Sequence, residues 1–172
     1  MKEKTMMHAY VLKGKLEEET EFADLLIDGA LCGAFVANTT FINCTFQDCD
    51  IKGCFFDGAT FKNCSFYGCD IAAVDFSNCE FEDCTFTSRF DMCDFTDAAF
   101  TNCALRRGYM RCCTIDDTAF TNVTFDGIWA GKLHIARTAV FNAVCYTMGG
   151  ATESEMETAK KAFFKEFEME VA

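Results

Sequence analysis

Thirteen cysteines, two histidines and 27 acidic residues are the side chains of this sequence that could do chemistry. Cysteines at a five-residue spacing, such as Cys44, Cys49 and Cys54, do not match the short ligand spacings of zinc ribbons or zinc fingers. With His8 and His134 alone, no Ser/His/Asp or Cys/His set assembles from local pattern, and no glycine-rich phosphate loop follows a strand. The reading is therefore of no catalytic residue, no metal site and no cofactor, and of cysteines used as small apolar packing groups. Cys32 and Cys112 are the exceptions: they fall at positions expected to point outward and are the candidate reactive thiols.

The elements that hold these residues follow from one period. Stepping by five from Leu31 gives Val36, Phe41, Phe46, Ile51, Phe56, Phe61, Phe66, Ile71, Phe76, Phe81 and Phe86 without a miss. The next step lands on Asp91. Moving back one residue to Phe90 resumes the series through Phe95, Phe100, Leu105, Met110, Ile115, Phe120 and Phe125, then more weakly through Ala130, Ile135, Val140 and Cys145. One residue is thus missing near Thr87-Ser88-Arg89. Two residues before the centres stands a smaller class, holding ten of the thirteen cysteines: Cys44, Cys49, Cys54, Cys64, Cys69, Cys79, Cys84, Cys93, Cys103 and Cys113. A period of five fits neither a helix nor a plain strand. It fits a chain that turns a corner every five residues with two residues of each five pointing inward. Sorting the centres by 20 places Leu31, Ile51, Ile71, Phe90 and Met110 in one aliphatic-leaning column, which gives four sides per coil.

These pentads, as in Asn43-Cys44-Thr45-Phe46 and Asn63-Cys64-Ser65-Phe66, resemble those of the pentapeptide-repeat family, with Phe largely in place of the consensus Leu and Cys in place of Ala. The resemblance implies an all-β solenoid: a right-handed quadrilateral parallel β-helix of about six four-sided coils, about 29 Å long at the spacing of paired strands. The absence of proline agrees, because every coil must donate backbone N–H groups to its neighbour. The expected organisation is one structural domain, with an N-terminal cap region at 1–28, the β-helix at 29–147, and a linker and amphipathic helix at 148–172. Within that helix Ser154 is the expected N-cap and Glu157 its capping-box partner. Met156, Phe163, Phe164, Phe167 and Val171 form the apolar stripe that either caps the shaft or joins two shafts as a homodimer, the arrangement the resemblance implies.

The formal net charge is −12, so direct binding of nucleic acid is not expected. Asp48, Asp50, Asp57, Asp70, Asp75, Glu80, Glu82, Asp83, Asp91, Asp94 and Asp97 fall at outward positions and make up the candidate partner surface. Arg106, Arg107 and Arg111 cluster beyond them, and Phe35 and Phe55, 20 apart, are expected to stack on an outer face. No apolar run is long enough to span a membrane, and the first residues lack the apolar core of a secretory signal. Reduced thiols in a cytoplasmic protein are the expectation. The function expected is that of a non-catalytic binding or scaffold protein with a protein partner. The alternative implied by the resemblance is an acidic DNA mimic that binds DNA gyrase.

Overall fold

In the computed structural model, residues 3–16, 18–135, 139–142, 145–147 and 152–168 are described, with the backbone alone at 156, 159 and 166–168. The chain winds as a parallel β-solenoid with four faces. On the first face, seven short strands pair in parallel and carry Phe22, Phe41, Phe61, Phe81, Phe100, Phe120 and Phe141 in register. Their rings stack along the axis at centroid distances of 4.6–5.5 Å, the offset geometry that aromatic quadrupoles prefer. Ile27, Phe46, Phe66, Phe86, Leu105, Phe125 and Tyr146 line the second face, and Leu31, Ile51, Ile71, Phe90, Met110 and Ala130 the third. The fourth face is joined by single bridges between Phe35, Phe55, Asp75, Asp94, Thr114 and His134.

There are thus about seven turns rather than six. The additional turn holds Phe22 and Ile27, which pair with Phe41 and Phe46 at a spacing of 19. A register shift between Asp28 and Ala30 separates them from the series that starts at Leu31. Ahead of them Thr5–His8 pairs with the strand Leu25–Cys32, and helix α1 (Ala9–Lys15) buries Ala9 and Leu12 over the open end. At the other end the register advances by one: Phe141 and Tyr146 take the inward positions, while Val140 and Cys145, expected as centres, are exposed. One extra residue between Ile135 and Ala139, relative to Ile115 and Thr118 one coil earlier, accounts for the advance.

The ten cysteines before the centres are all buried and free. Each thiol also donates to the carbonyl of the centre residue in the preceding coil, for example Cys54 to Leu31 at 3.0 Å, Cys79 to Phe56 at 3.1 Å and Cys64 to Phe41 at 3.4 Å. At two positions that are not Cys a hydroxyl takes over, Thr118 to Phe95 at 2.8 Å and Ser88 to Phe66 at 3.0 Å, whereas Ala59, Val74 and Ala98 only fill space. Where the small inward residue is Cys, Ser or Thr, it therefore both fills space and gives a core-facing carbonyl a second donor. Burial pushes the Cys54 and Cys79 thiols up, which keeps them in the donating S–H form.

The corners need a left-handed residue, and Asn43, Asn63, Asn78, Asp83, Asn102 and Asn122 all have φ between 51° and 56°. Asn and Asp bear that conformation most easily after Gly. Their side chains join rung to rung, as in Asn63 to Asn43 at 3.2 Å and Asn122 to Asn102 at 2.8 Å.

The missing residue near Ser88 lies at the corner between the second and third faces. Tyr67 pairs with Thr87 and Asp70 with Arg89, so Gly68 and Cys69 stand opposite Ser88 alone. Ser88 is buried, accepts from the Cys69 N–H at 3.3 Å and donates to the Phe66 carbonyl at 3.0 Å. Its hydroxyl thus stands in for backbone groups that the shortened coil lacks. In the next coil a Cβ at Gly108 would lie 1.9 Å from the Ser88 carbonyl oxygen, so only glycine fits there.

Candidate interaction surface

With the interior filled by the aromatic, aliphatic and thiol columns, the side chains free to act are the outward columns, one residue on each side of a centre and those at the corners. Their spacing is that of paired strands, about 4.8 Å per rung.

The structure does not bring the acidic candidates into one strip. Asp50, Asp70 and Asp91 lie on the third face, Asp57, Asp75 and Asp94 on the fourth, and Glu80 and Glu82 on the first. Asp48, Asp83 and Asp97 are corner residues with positive φ. Several of these carboxylates are tied into the scaffold. Asp75 Oδ1 accepts from the Ser77 N–H at 2.9 Å and its hydroxyl at 2.6 Å, and Asp94 holds Thr96 in the same way. Asp57 Oδ1 accepts from Asn78 Nδ2 at 2.8 Å and lies 3.1 Å from Ser77 Oγ, whose one proton goes to Asp75. Asp50 pairs with Lys52 at 2.8 Å and Glu82 with Lys62 at 3.5 Å. Asp91 takes both Nε (3.0 Å) and a terminal nitrogen of Arg111, whose guanidinium holds the carboxyl below its ordinary value.

Phe35 and Phe55 do stack on the fourth face, with centroids 5.0 Å apart and planes 10° from parallel. They are exposed at 74% and 45%. Cys32 is exposed, as expected from its position, and Cys112 is half-buried.

At the C-terminal end, α2 (Glu153–Glu168) begins two residues earlier than the expected box. Thr152 Oγ1 accepts from the Glu155 N–H at 3.3 Å while Glu155 accepts from the Thr152 N–H at 2.9 Å and hydroxyl at 2.7 Å. Thr152 is therefore the N-cap and Glu155 its partner, and Ser154 instead offers its carbonyl to Thr158. Phe163 is buried against Phe125 and Tyr146 at 4.8 and 5.0 Å, and Phe164 meets Phe141 at 5.8 Å, so both cover the last coil. The side chains of Met156 and Phe167, and Val171 altogether, lie outside the described residues.

Sequence reasoning grouped Arg106, Arg107 and Arg111 but missed three neighbours. Arg89 and Tyr109 are rung partners, as are Tyr109 and Trp129, so all three share one column of the third face. The signal was present: Trp129, Tyr109 and, after the one-residue slip, Arg89 are one coil apart. Trp129 is 57% exposed, and its indole lies across Gly131, where a Cβ would come within 2.5 Å of the ring.

Residues 39–120 match the family model described as a pentapeptide repeat region. That segment, just under half of the chain, is a pentapeptide-repeat region. The chain is similar to solved structures of pentapeptide-repeat proteins. One comes from the Arabidopsis thaliana thylakoid lumen, with 16% identity over 52% of this chain and 67% of that one, at a TM-score of 0.42. Another is QnrB1, a plasmid-mediated fluoroquinolone resistance protein, with 15% identity over 69% and 72% and a TM-score of 0.42. A third is HetL of Nostoc, involved in heterocyst differentiation regulation, with 6% identity over 85% and 99% and a TM-score of 0.28. No curated protein matches the sequence. Among the described residues, no helix is long and apolar enough to cross a membrane.

Proposed function

We propose that this chain is a non-catalytic binding or scaffold protein that presents fixed columns of side chains to a protein partner. The observation that carries the reading is the Phe35–Phe55 pair, stacked and open to water on a face whose inner side is already fully packed. Apolar rings held outward on a rigid wall gain by being covered, and among the described residues no element covers them. Helix α2 acts as the cap of the shaft, a role that Phe163 on Phe125 supports. The test is affinity capture with the wild-type chain and with a Phe35→Ser/Phe55→Ser chain. The expected result is a defined set of proteins lost from the variant while its melting curve is unchanged; identical retention by both refutes the reading.

The alternative, an acidic mimic of DNA directed at gyrase, draws support from the net charge of −12 and from Asp75 and Asp94 on adjacent rungs with Asp57 beside them. Such binding should weaken steeply with salt. A supercoiling assay unaffected by the protein at low salt removes it.

A further inference from the structure

Four of the five arginines gather at the corner between the second and third faces. Arg106 lies on the second, Arg107 at the corner itself, and Arg89 and Arg111 on the third. All four are exposed. Arg111 is engaged, paired with Asp91 and lying over the Tyr109 ring at 5.7 Å. Arg89, Arg106 and Arg107 have no ion-pair partner among the described residues. Scarcity of acids does not explain this, since the chain has 27 acids against 15 bases. Arg107 also occupies a left-handed corner, φ 51°, where an arginine is a strained choice beside Asn, Asp or Gly.

Shape adds to charge. Between Phe86 and Arg89 stand two residues, whereas Leu105 to Tyr109 spans three and Phe66 to Asp70 three. The corner of that one coil is cut short, with buried Ser88 as its floor, exposed Tyr67 on one side and Arg106 and Arg107 on the other. Further along the same face lies the exposed indole of Trp129.

We propose that this shortened corner, with Arg89, Arg106, Arg107 and Trp129, is the docking surface for an acidic segment of a protein partner. The proposal rests on the reading of the chain as a binding module and gives that module a surface and a partner chemistry. Arginine forks bind carboxylates in pairs of parallel hydrogen bonds. Arginine, tryptophan and tyrosine are the residues that anchor protein interfaces. Nucleic acid fits less well: a chain of charge −12 repels a phosphate backbone, and the site is a short corner rather than a groove that could track one.

Trp129 is the only tryptophan, so its emission reports on the site directly. A short poly-glutamate peptide is titrated at about 0.1 M salt, where screening confines the interaction to near charges, and followed by Trp129 emission and peptide anisotropy. Arg106→Gln/Arg107→Gln, and separately Arg89→Gln, are compared with Lys160→Gln/Lys161→Gln on α2, which removes the same charge elsewhere. The expected loss is about tenfold for the corner pair and less than about twofold for the helix pair. Equal losses from both pairs, no peptide response, or tighter binding of an oligothymidylate of equal length each overturn the assignment. If the peptide fails while Phe35→Ser/Phe55→Ser still releases captured proteins, the corner alone is wrong; if both fail, the binding-module reading falls too.

Discussion

Replacing Ser88 with alanine removes one oxygen from the shaft and should destabilise it by about 2–4 kcal/mol. The figure follows from what that oxygen does. It is the acceptor for the Cys69 N–H and a donor to the Phe66 carbonyl, both at a buried corner. An orphaned buried N–H costs about 1–3 kcal/mol, and the lost donor bond about 1 kcal/mol more. The Cys69 thiol offers no replacement donor, because it is directed at the Phe46 carbonyl at 3.3 Å. Water cannot easily repair the loss, since Gly108 packs directly on the Ser88 carbonyl from the next coil. Ser88→Cys should fall between wild type and alanine: a thiol donates as it does in ten other rungs but accepts poorly from an amide. The assay is urea unfolding followed by far-UV circular dichroism, with slope and midpoint compared across the three chains. An alanine variant within about 0.5 kcal/mol of wild type refutes the claim that the hydroxyl replaces missing backbone groups.

Phe61→Ala should cost about 3–5 kcal/mol in the same assay, because its ring is buried and stacks on both Phe41 and Phe81; a loss below about 1 kcal/mol would contradict that packing. Asp57→Ala should cost about 1 kcal/mol, since the Asn78 amide donates to its carboxylate at 2.8 Å; no measurable change would mean that bond gives nothing over water. A thiol titration of the native protein should find Cys32 and Cys145 reacting first, Cys112 more slowly, and all thirteen only in denaturant; early labelling of Cys64 or Cys84 would show the shaft to be loosely closed.

The five-residue step was legible because it is imposed everywhere by the same constraint: each corner must return two side chains to a closed interior. Most of the axial stack from Leu31 to Ile135 follows from that step alone, as does the Phe35–Phe55 pair. What the step could not supply were the places where the count changes. A coil with one residue fewer breaks the register, as at Asp28–Ala30, and at Ser88 a side-chain hydroxyl takes the place of backbone partners. The slip at Ser88 left a long series on each side and could be seen. The slip at Asp28–Ala30 left only Phe22 and Ile27 beyond it, too few to define a register. The acidic surface misled for a different reason. Outward position was read as freedom, yet Asp75 and Asp94 fold back onto Ser77 and Thr96, as short acidic side chains do at turns. The arginines invert this: their long side chains reach past the corner and cannot cap their own backbone. Where Asp75 and Asp94 are consumed by their turns while Arg89, Arg106 and Arg107 have no ion-pair partner among the described residues, the arginines mark the surface more clearly than the net charge does.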